Sequence, residues 1–176
     1  DFDSWVAPFV MGPINTRVVR RSAELLGDMY GSNFRYDEGI LTRGGPTGFL
    51  GATGIGLATG LAMATLAAPP TRKIIKRLIP KPGEGPSEQD QEQGFFEIEL
   101  KAKHPEDEGL DLRAIVKGDR DPGYGSTAKM IVESALALAH DDIKKGGGFW
   151  TPASVIGDQL LQRLPLHAGV TFELEG

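Results

Sequence analysis

Residues 96–118 read FEIELKAKHPEDEGLDLRAIVKG. Phe96, Ile98, Leu100 and Ala102 alternate with Glu97, Glu99, Lys101 and Lys103, and further on Leu110, Leu112, Ala114 and Val116 alternate with Asp111, Arg113 and Lys117. A period of two places the apolar members of each run on one face of a pleated chain, so each run predicts a half-buried strand. The connection from His104 to Gly109 is polar and holds Pro105, a composition suited to a longer hairpin loop.

Downstream the period changes to that of helices. Ser126 and Thr127 lead a run through Met130, Ile131, Ser134, Ala135 and Leu138 that ends near His140. After a turn at Gly146–Gly148, Thr151 and Pro152 supply a cap and a first-turn proline for a helix through Leu160, Leu161 and Leu164. Val170–Leu174 reads as a closing strand, free to add parallel or antiparallel. The order predicts an α+β fold: a mixed or antiparallel sheet with helices packed on it, plus an apolar helical segment upstream.

That upstream half is set off by a linker rich in Gly, Pro and charge, PKPGEGPSEQDQEQG at 80–94. Trp5, Phe9, Val10, Ile14, Val18 and Val19 fall at near-helical spacing, and Pro13 suits the first turn of a helix that carries Arg17, Arg20 and Arg21 to about Leu26, where Gly27 ends it. Asn33–Leu41 alternates as a short strand would. From Gly44 to Thr71 there is no charged residue, and 48–68, GFLGATGIGLATGLAMATLAA, is nearly all apolar or small. This length suffices to cross a bilayer as a helix. Pro69 and Pro70 stop the run, and Arg72, Lys73, Lys76 and Arg77 then alternate with Ile74, Ile75, Leu78 and Ile79 in a basic amphipathic turn or two, so the apolar insertion occupies about 44–79. Gly, Ala and Thr contribute little transfer free energy, which favours a helical hairpin or bent helix that packs on the protein or dips into a bilayer surface, the four cations meeting anionic headgroups. A true span and a buried core helix are the alternatives.

The 176 residues suit one ordinary domain, and 40% hydrophobic with 24% charged residues is a globular composition. With no cysteine, disulfides and thiolate metal sites are excluded, and His104, His140 and His167 lack ligand spacing, so no metal site is expected. The net charge of −5 is uneven: residues 1–80 hold 9 Lys+Arg against 6 Asp+Glu, residues 81–176 hold 10 against 18. An acidic second half argues against a nucleic-acid module. No charged n-region followed by an apolar core and cleavage site opens the sequence, so a cytoplasmic protein, peripheral at a membrane, is expected.

Four motifs tempt a chemical reading. GATGIG at 51–56 lacks the preceding apolar strand and the later acid of a dinucleotide fingerprint. Gly56 and Gly60 instead form a G-x-x-x-G for close helix approach. Tyr124 and Lys129 resemble a proton-passing Tyr–Lys pair but stand one residue too far apart to share a helix face, leaving Tyr124 as a candidate acid by itself. His140-Asp141-Asp142 fits a helix C-terminus, where the dipole favours the imidazolium. Glu84 sits in a rigid PGEGP loop that reads as a turn or a site.

Four blocks, WVAPFVMGPINTRVVRRS (Trp5–Ser22), LIPKPGEGPSEQDQEQGFF (Leu78–Phe96), DPGYGSTAKMIVESALAL (Asp121–Leu138) and GGFWTPASVIGDQLLQRL (Gly147–Leu164), together resemble the C-terminal half of saccharopine dehydrogenase-like oxidoreductases, including those called trans-acting enoyl reductases of complex-lipid synthesis. The resemblance implies that residues 1–176 form a C-terminal substrate-side and dimerisation domain. It further implies that NADPH is bound by a Rossmann domain upstream of Asp1, and that no cofactor is held by the present residues. It transfers no settled catalytic residue. The residues expected to line the substrate cleft are Asn15 and Arg17 on the first helix, Glu84 in the rigid loop, Tyr124 and Thr127 at a helix start, and Trp150 with Thr151. Arg17 suits an acyl-carrier phosphate or a carboxylate. The expected partners are the chain's own nucleotide-binding domain, a second copy, and an anionic membrane surface. The competing reading is a membrane or lipid-surface interaction module with vestigial oxidoreductase ancestry.

Overall fold

The structure is a computed structural model that describes residues 2–67 and 83–175. The chain divides into two compact units, Asp1–Gly85 and Pro86–Gly176. The break falls inside the stretch read as a linker. The basic segment with Arg72, Lys73, Lys76 and Arg77 lies outside the described residues.

The first unit contains strand β1 (Val6–Pro8), helix α1 (Gly12–Leu26), strand β2 (Gly39–Leu41) and helix α2 (Gly45–Ala67). The near-helical spacing of Trp5–Val10 gives way to a strand because a residue before proline is pushed out of the helical region, and Ala7 precedes Pro8. α1 follows the expected course, with proline in its first turn and Gly27 ending it at φ 61°. The strand expected over Asn33–Leu41 is only Gly39–Leu41, since its antiparallel partner β1 is three residues long and pairs Val6 with Leu41, Ala7 with Ile40 and Pro8 with Gly39.

α2 is one continuous helix of 23 residues, so the chain does not reverse within 45–67 to make a hairpin. Gly48, Ala52 and Gly56 stand four apart and share one face. That face meets the rest of the unit: Gly48 and Ala52 are buried, a side chain on Gly48 would overlap the Arg43 carbonyl oxygen, and one on Gly56 would touch the Pro8 ring at 3.7 Å. The Thr42 hydroxyl lies 2.9 Å from the Gly48 carbonyl and 3.1 Å from that of Trp5, tying strand to helix. Among the described residues of this unit the buried apolar side chains are Ala7 and Ala52 alone.

The second unit contains helix α3 (Glu88–Gln93), strands β3 (Phe96–Ala102) and β4 (Leu112–Gly118), helices α4 (Gly125–His140) and α5 (Pro152–Arg163), and strand β5 (Val170–Glu175). The sheet order is β3-β4-β5 with both pairings antiparallel, so the α+β reading holds and the last strand adds antiparallel. Leu110, expected in the second strand, instead closes a short 3-10 turn at Glu108–Leu110. α3 arises inside the expected linker because the Ser87 hydroxyl accepts the Asp90 N–H at 3.1 Å and caps it.

Directly opposed residues share a face, so Phe96, Gly118 and Val170 line up, as do Ile98, Val116 and Phe172, then Leu100, Ala114 and Leu174. Buried Leu164, Ala168 and Val170, with Phe96, Val116, Met130 and Leu160 packed on them, make the core at one end of this face. The Phe96 ring lies where a Gly118 side chain would be. Farther along the same face Ile98, Leu100, Leu112, Phe172 and Leu174 remain exposed. The opposite face is charged and laced by Arg113–Glu99 at 2.8 Å and Lys117–Glu173 at 2.9 Å.

Candidate functional site

The most unusual polar cluster belongs to the first unit. The first turn of α1 carries Asn15, and the loop entering β2 carries Tyr36 and Glu38. Glu38 Oε2 accepts the Tyr36 hydroxyl hydrogen at 2.9 Å and is approached by Asn15 Nδ2 at 3.4 Å. Glu38 Oε1 is buried and has no hydrogen-bond partner among the described residues. A buried acceptor left unpaired costs about 1–3 kcal/mol. Such a group is therefore poised to accept a hydrogen bond from a molecule that enters.

The same surroundings hold the Tyr36 proton in place. Burial pushes its phenol up to about 12, and the hydrogen bond to Glu38 and the negative charges of Glu38 and Asp37 act in the same direction. The cluster thus offers a retained hydroxyl proton and an unpaired carboxylate oxygen side by side.

Of the residues named from sequence, Asn15 enters this cluster. Arg17, two residues on, is exposed and turned about 200° round the helix from it, so the two do not converge. Glu84 is exposed beside Gly83, whose φ of 91° only glycine adopts readily. Tyr36 and Glu38 were missed as site residues, although reading Asn33–Leu41 as a strand already placed them two apart on one face.

In the second unit the named residues serve local order. Asp121 Oδ2 accepts the N–H groups of Tyr124 at 2.6 Å and Gly125 at 3.3 Å, and these bonds, the first above all, hold its carboxyl below the usual range. Tyr124 itself is 56% exposed, and Lys129 pairs with Asp119 at 3.7 Å. The Thr127 hydroxyl donates to the Pro122 carbonyl. Trp150 Nε1 donates to the Gly146 carbonyl at 2.9 Å, with Lys145 Nζ 4.8 Å from the ring centre. Thr151 caps α5, its N–H donating to Ser154 Oγ at 3.1 Å.

Two of the quoted blocks also interlock. Asp121 N donates to the Gln91 carbonyl at 3.0 Å, and side chains on Gly94 or Gly125 would press on Asp121 or on the Gln91 carbonyl. His140 ends α4, and Asp141 accepts from Arg163 Nη1 at 3.2 Å, so this triplet closes a helix. GATGIG lies inside α2, where interior N–H groups bond to carbonyls of the preceding turn and cannot cradle a phosphate. Among the described residues no group of three or more His, Asp or Glu side chains is placed to hold a metal ion.

The chain is 40% identical over 174 residues to a Mycobacterium tuberculosis protein provisionally named a trans-acting enoyl reductase, covering 96% of the chain and 41% of that protein. It is 39% identical over 172 residues to the trans-acting enoyl reductase of Mycobacterium ulcerans, covering 92% and 39%, and 38% identical over 180 residues to that of Mycobacterium bovis, covering 96% and 40%. The chain is thus related to proteins named as enoyl reductases and spans about two fifths of their length. No family model and no solved structure matches it.

Proposed function

We propose that the chain is the substrate-side part of an NADPH-dependent, saccharopine dehydrogenase-like enoyl reductase acting on an acyl or lipid-related substrate. The observation that carries this reading is the similarity to named enoyl reductases along 96% of the chain but only 41% of such a relative, which leaves those relatives room for a nucleotide-binding domain. NADPH, bound by that domain, supplies the hydride. Tyr36, Glu38 and Asn15 orient a polar part of the substrate and hold a proton at Tyr36 Oη. Arg17 takes a carboxylate or carrier phosphate, and Glu84, Tyr124, Thr127, Trp150 and Thr151 are further substrate contacts, each within its own unit.

The exposed apolar residues Ile98, Leu100, Leu112, Phe172 and Leu174 are a surface for the nucleotide-binding domain or a second copy. The protein works at the cytoplasmic face of a membrane, whose anionic headgroups Arg72, Lys73, Lys76 and Arg77 meet. Calorimetry tests the assignment: the full-length protein binds NADPH and oxidises it with an enoyl thioester, whereas residues 1–176 alone do not. Micromolar binding by residues 1–176 would overturn the division of labour. Absence of NADPH binding by the full-length protein would favour a lipid-surface module instead.

A further inference from the structure

We infer that α2 is embedded in the hydrocarbon of a lipid bilayer, with Trp5 and Arg43 at the headgroup level beside its first turn. A helix that packs on one surface of a soluble protein needs only an apolar stripe, and one that lies in the plane of a membrane interface needs a polar face to leave in water. α2 has neither pattern. Its threonines, Thr47, Thr53, Thr59 and Thr65, recur every six residues, so each stands about 240° round the axis from the last and no polar face forms. Phe49, Leu50, Ile55, Leu57, Leu61, Met63 and Leu66 are likewise spread round it.

A helix apolar on every side must be covered on every side. The described residues cover little of this one: Gly48 and Ala52 are its buried residues, and Leu50, Leu57 and Leu61 are 69%, 71% and 67% exposed. Its 23 residues extend about 34 Å, against about 30 Å for the hydrocarbon core of a bilayer.

The features at its ends favour lipid over a covering protein. Trp5 donates its indole N–H to the Gly45 carbonyl at 3.0 Å and meets Phe49 edge-on with ring centres 4.9 Å apart, which sets an amphipathic ring at the helix start, as in the aromatic belts of membrane proteins. Arg43 precedes the uncharged run, and Arg72, Lys73, Lys76 and Arg77 follow it. A protein-covered helix has no need of cations at both ends. The inference stands apart from the enzymatic reading, since lipid embedding requires neither NADPH nor substrate.

The test uses the full-length protein in isolated membranes. Alkaline carbonate is expected to leave it in the membrane pellet, and Leu57→Glu with Leu61→Glu should cut the membrane-bound fraction about tenfold or more. Leu110→Glu, at a leucine of the second unit that is also more than half exposed, should leave that fraction unchanged. Since the double variant can fail by misfolding, a second measurement reconstitutes the full-length protein and its Trp5→Phe variant into vesicles, where the Trp5 fluorescence, taken as the difference between the two, should be quenched by bromine-labelled lipid. Release by carbonate, a soluble dimer in the absence of detergent, or Trp5 emission untouched by the brominated lipid would each overturn the inference.

Discussion

The Tyr36 hydroxyl donates to Glu38 Oε2 at 2.9 Å while the other carboxylate oxygen of Glu38 is buried with no hydrogen-bond partner among the described residues. A folded-state phenol raised from 10.0 to about 12 binds its proton more tightly than in the unfolded chain. Its contribution to stability is therefore complete below pH 10 and is lost as pH rises towards 12. Phenolate absorbance followed through an alkaline titration should show one late step among the three tyrosines, and Tyr36→Phe should remove that step. Glu38→Gln should bring it to lower pH. An unchanged late step in Tyr36→Phe would show that another phenol is responsible.

If this pair acts on substrate, its loss should appear in turnover rather than in fold. Tyr36→Phe and Glu38→Gln in the full-length protein should each lower kcat/KM about 10- to 100-fold while the protein stays folded, at a cost of about 1–3 kcal/mol in stability. Glu99→Gln, which removes an exposed partner of Arg113, should leave kcat/KM unchanged. Equal activities for all three variants would make the cluster a structural feature only.

Gly48 and Gly60 lie on one helix and should respond oppositely to alanine. At Gly48 the new methyl meets the Arg43 carbonyl oxygen, a backbone atom that cannot turn aside, and the loss should be about 3 kcal/mol. At Gly60 the space is open and alanine should strengthen the helix by about 0.5–1 kcal/mol. Denaturant midpoints of the two variants give the comparison directly.

The PGEGP loop distinguishes its two glycines. Gly83 has φ 91°, whereas φ at Gly85 is not positive, so the conformational demand falls on the first. Gly83→Val should cost about 2 kcal/mol or more, with Gly85→Val and Glu88→Ala costing less, as thermal denaturation would reveal. If Gly83→Val matches Glu88→Ala in stability, the loop does not depend on that geometry.

Arg163 joins α5 to α4 through Glu133 at 3.0 Å and Asp141 at 3.2 Å, with all three side chains at most about a quarter exposed. Arg163→Met strands the Glu133 carboxylate and should cost about 2–3 kcal/mol. Adding Glu133→Leu should recover part of that loss, because it removes the stranded charge. Purely additive losses in the double variant would show that the two residues are not coupled.

The elements whose cause is local were legible in the sequence. The alternation at Phe96–Ala102 fixes which side chains share a face, Thr151-Pro152 starts α5, Gly27 stops α1, and residues 45–67 of the uncharged run form the long helix α2. None of these needs a partner far along the chain. What only the tertiary structure decided depends on such partners. The strand at Val6–Pro8 exists because Gly39–Leu41 pairs with it, and the last strand runs antiparallel because it lies beside β4. The contact of Glu38 Oε2 with Asn15 exists because α1 brings the two together across 23 residues of sequence. A side chain's own neighbours set its backbone preference, but whether its polar atoms find partners is settled only when distant segments close around it.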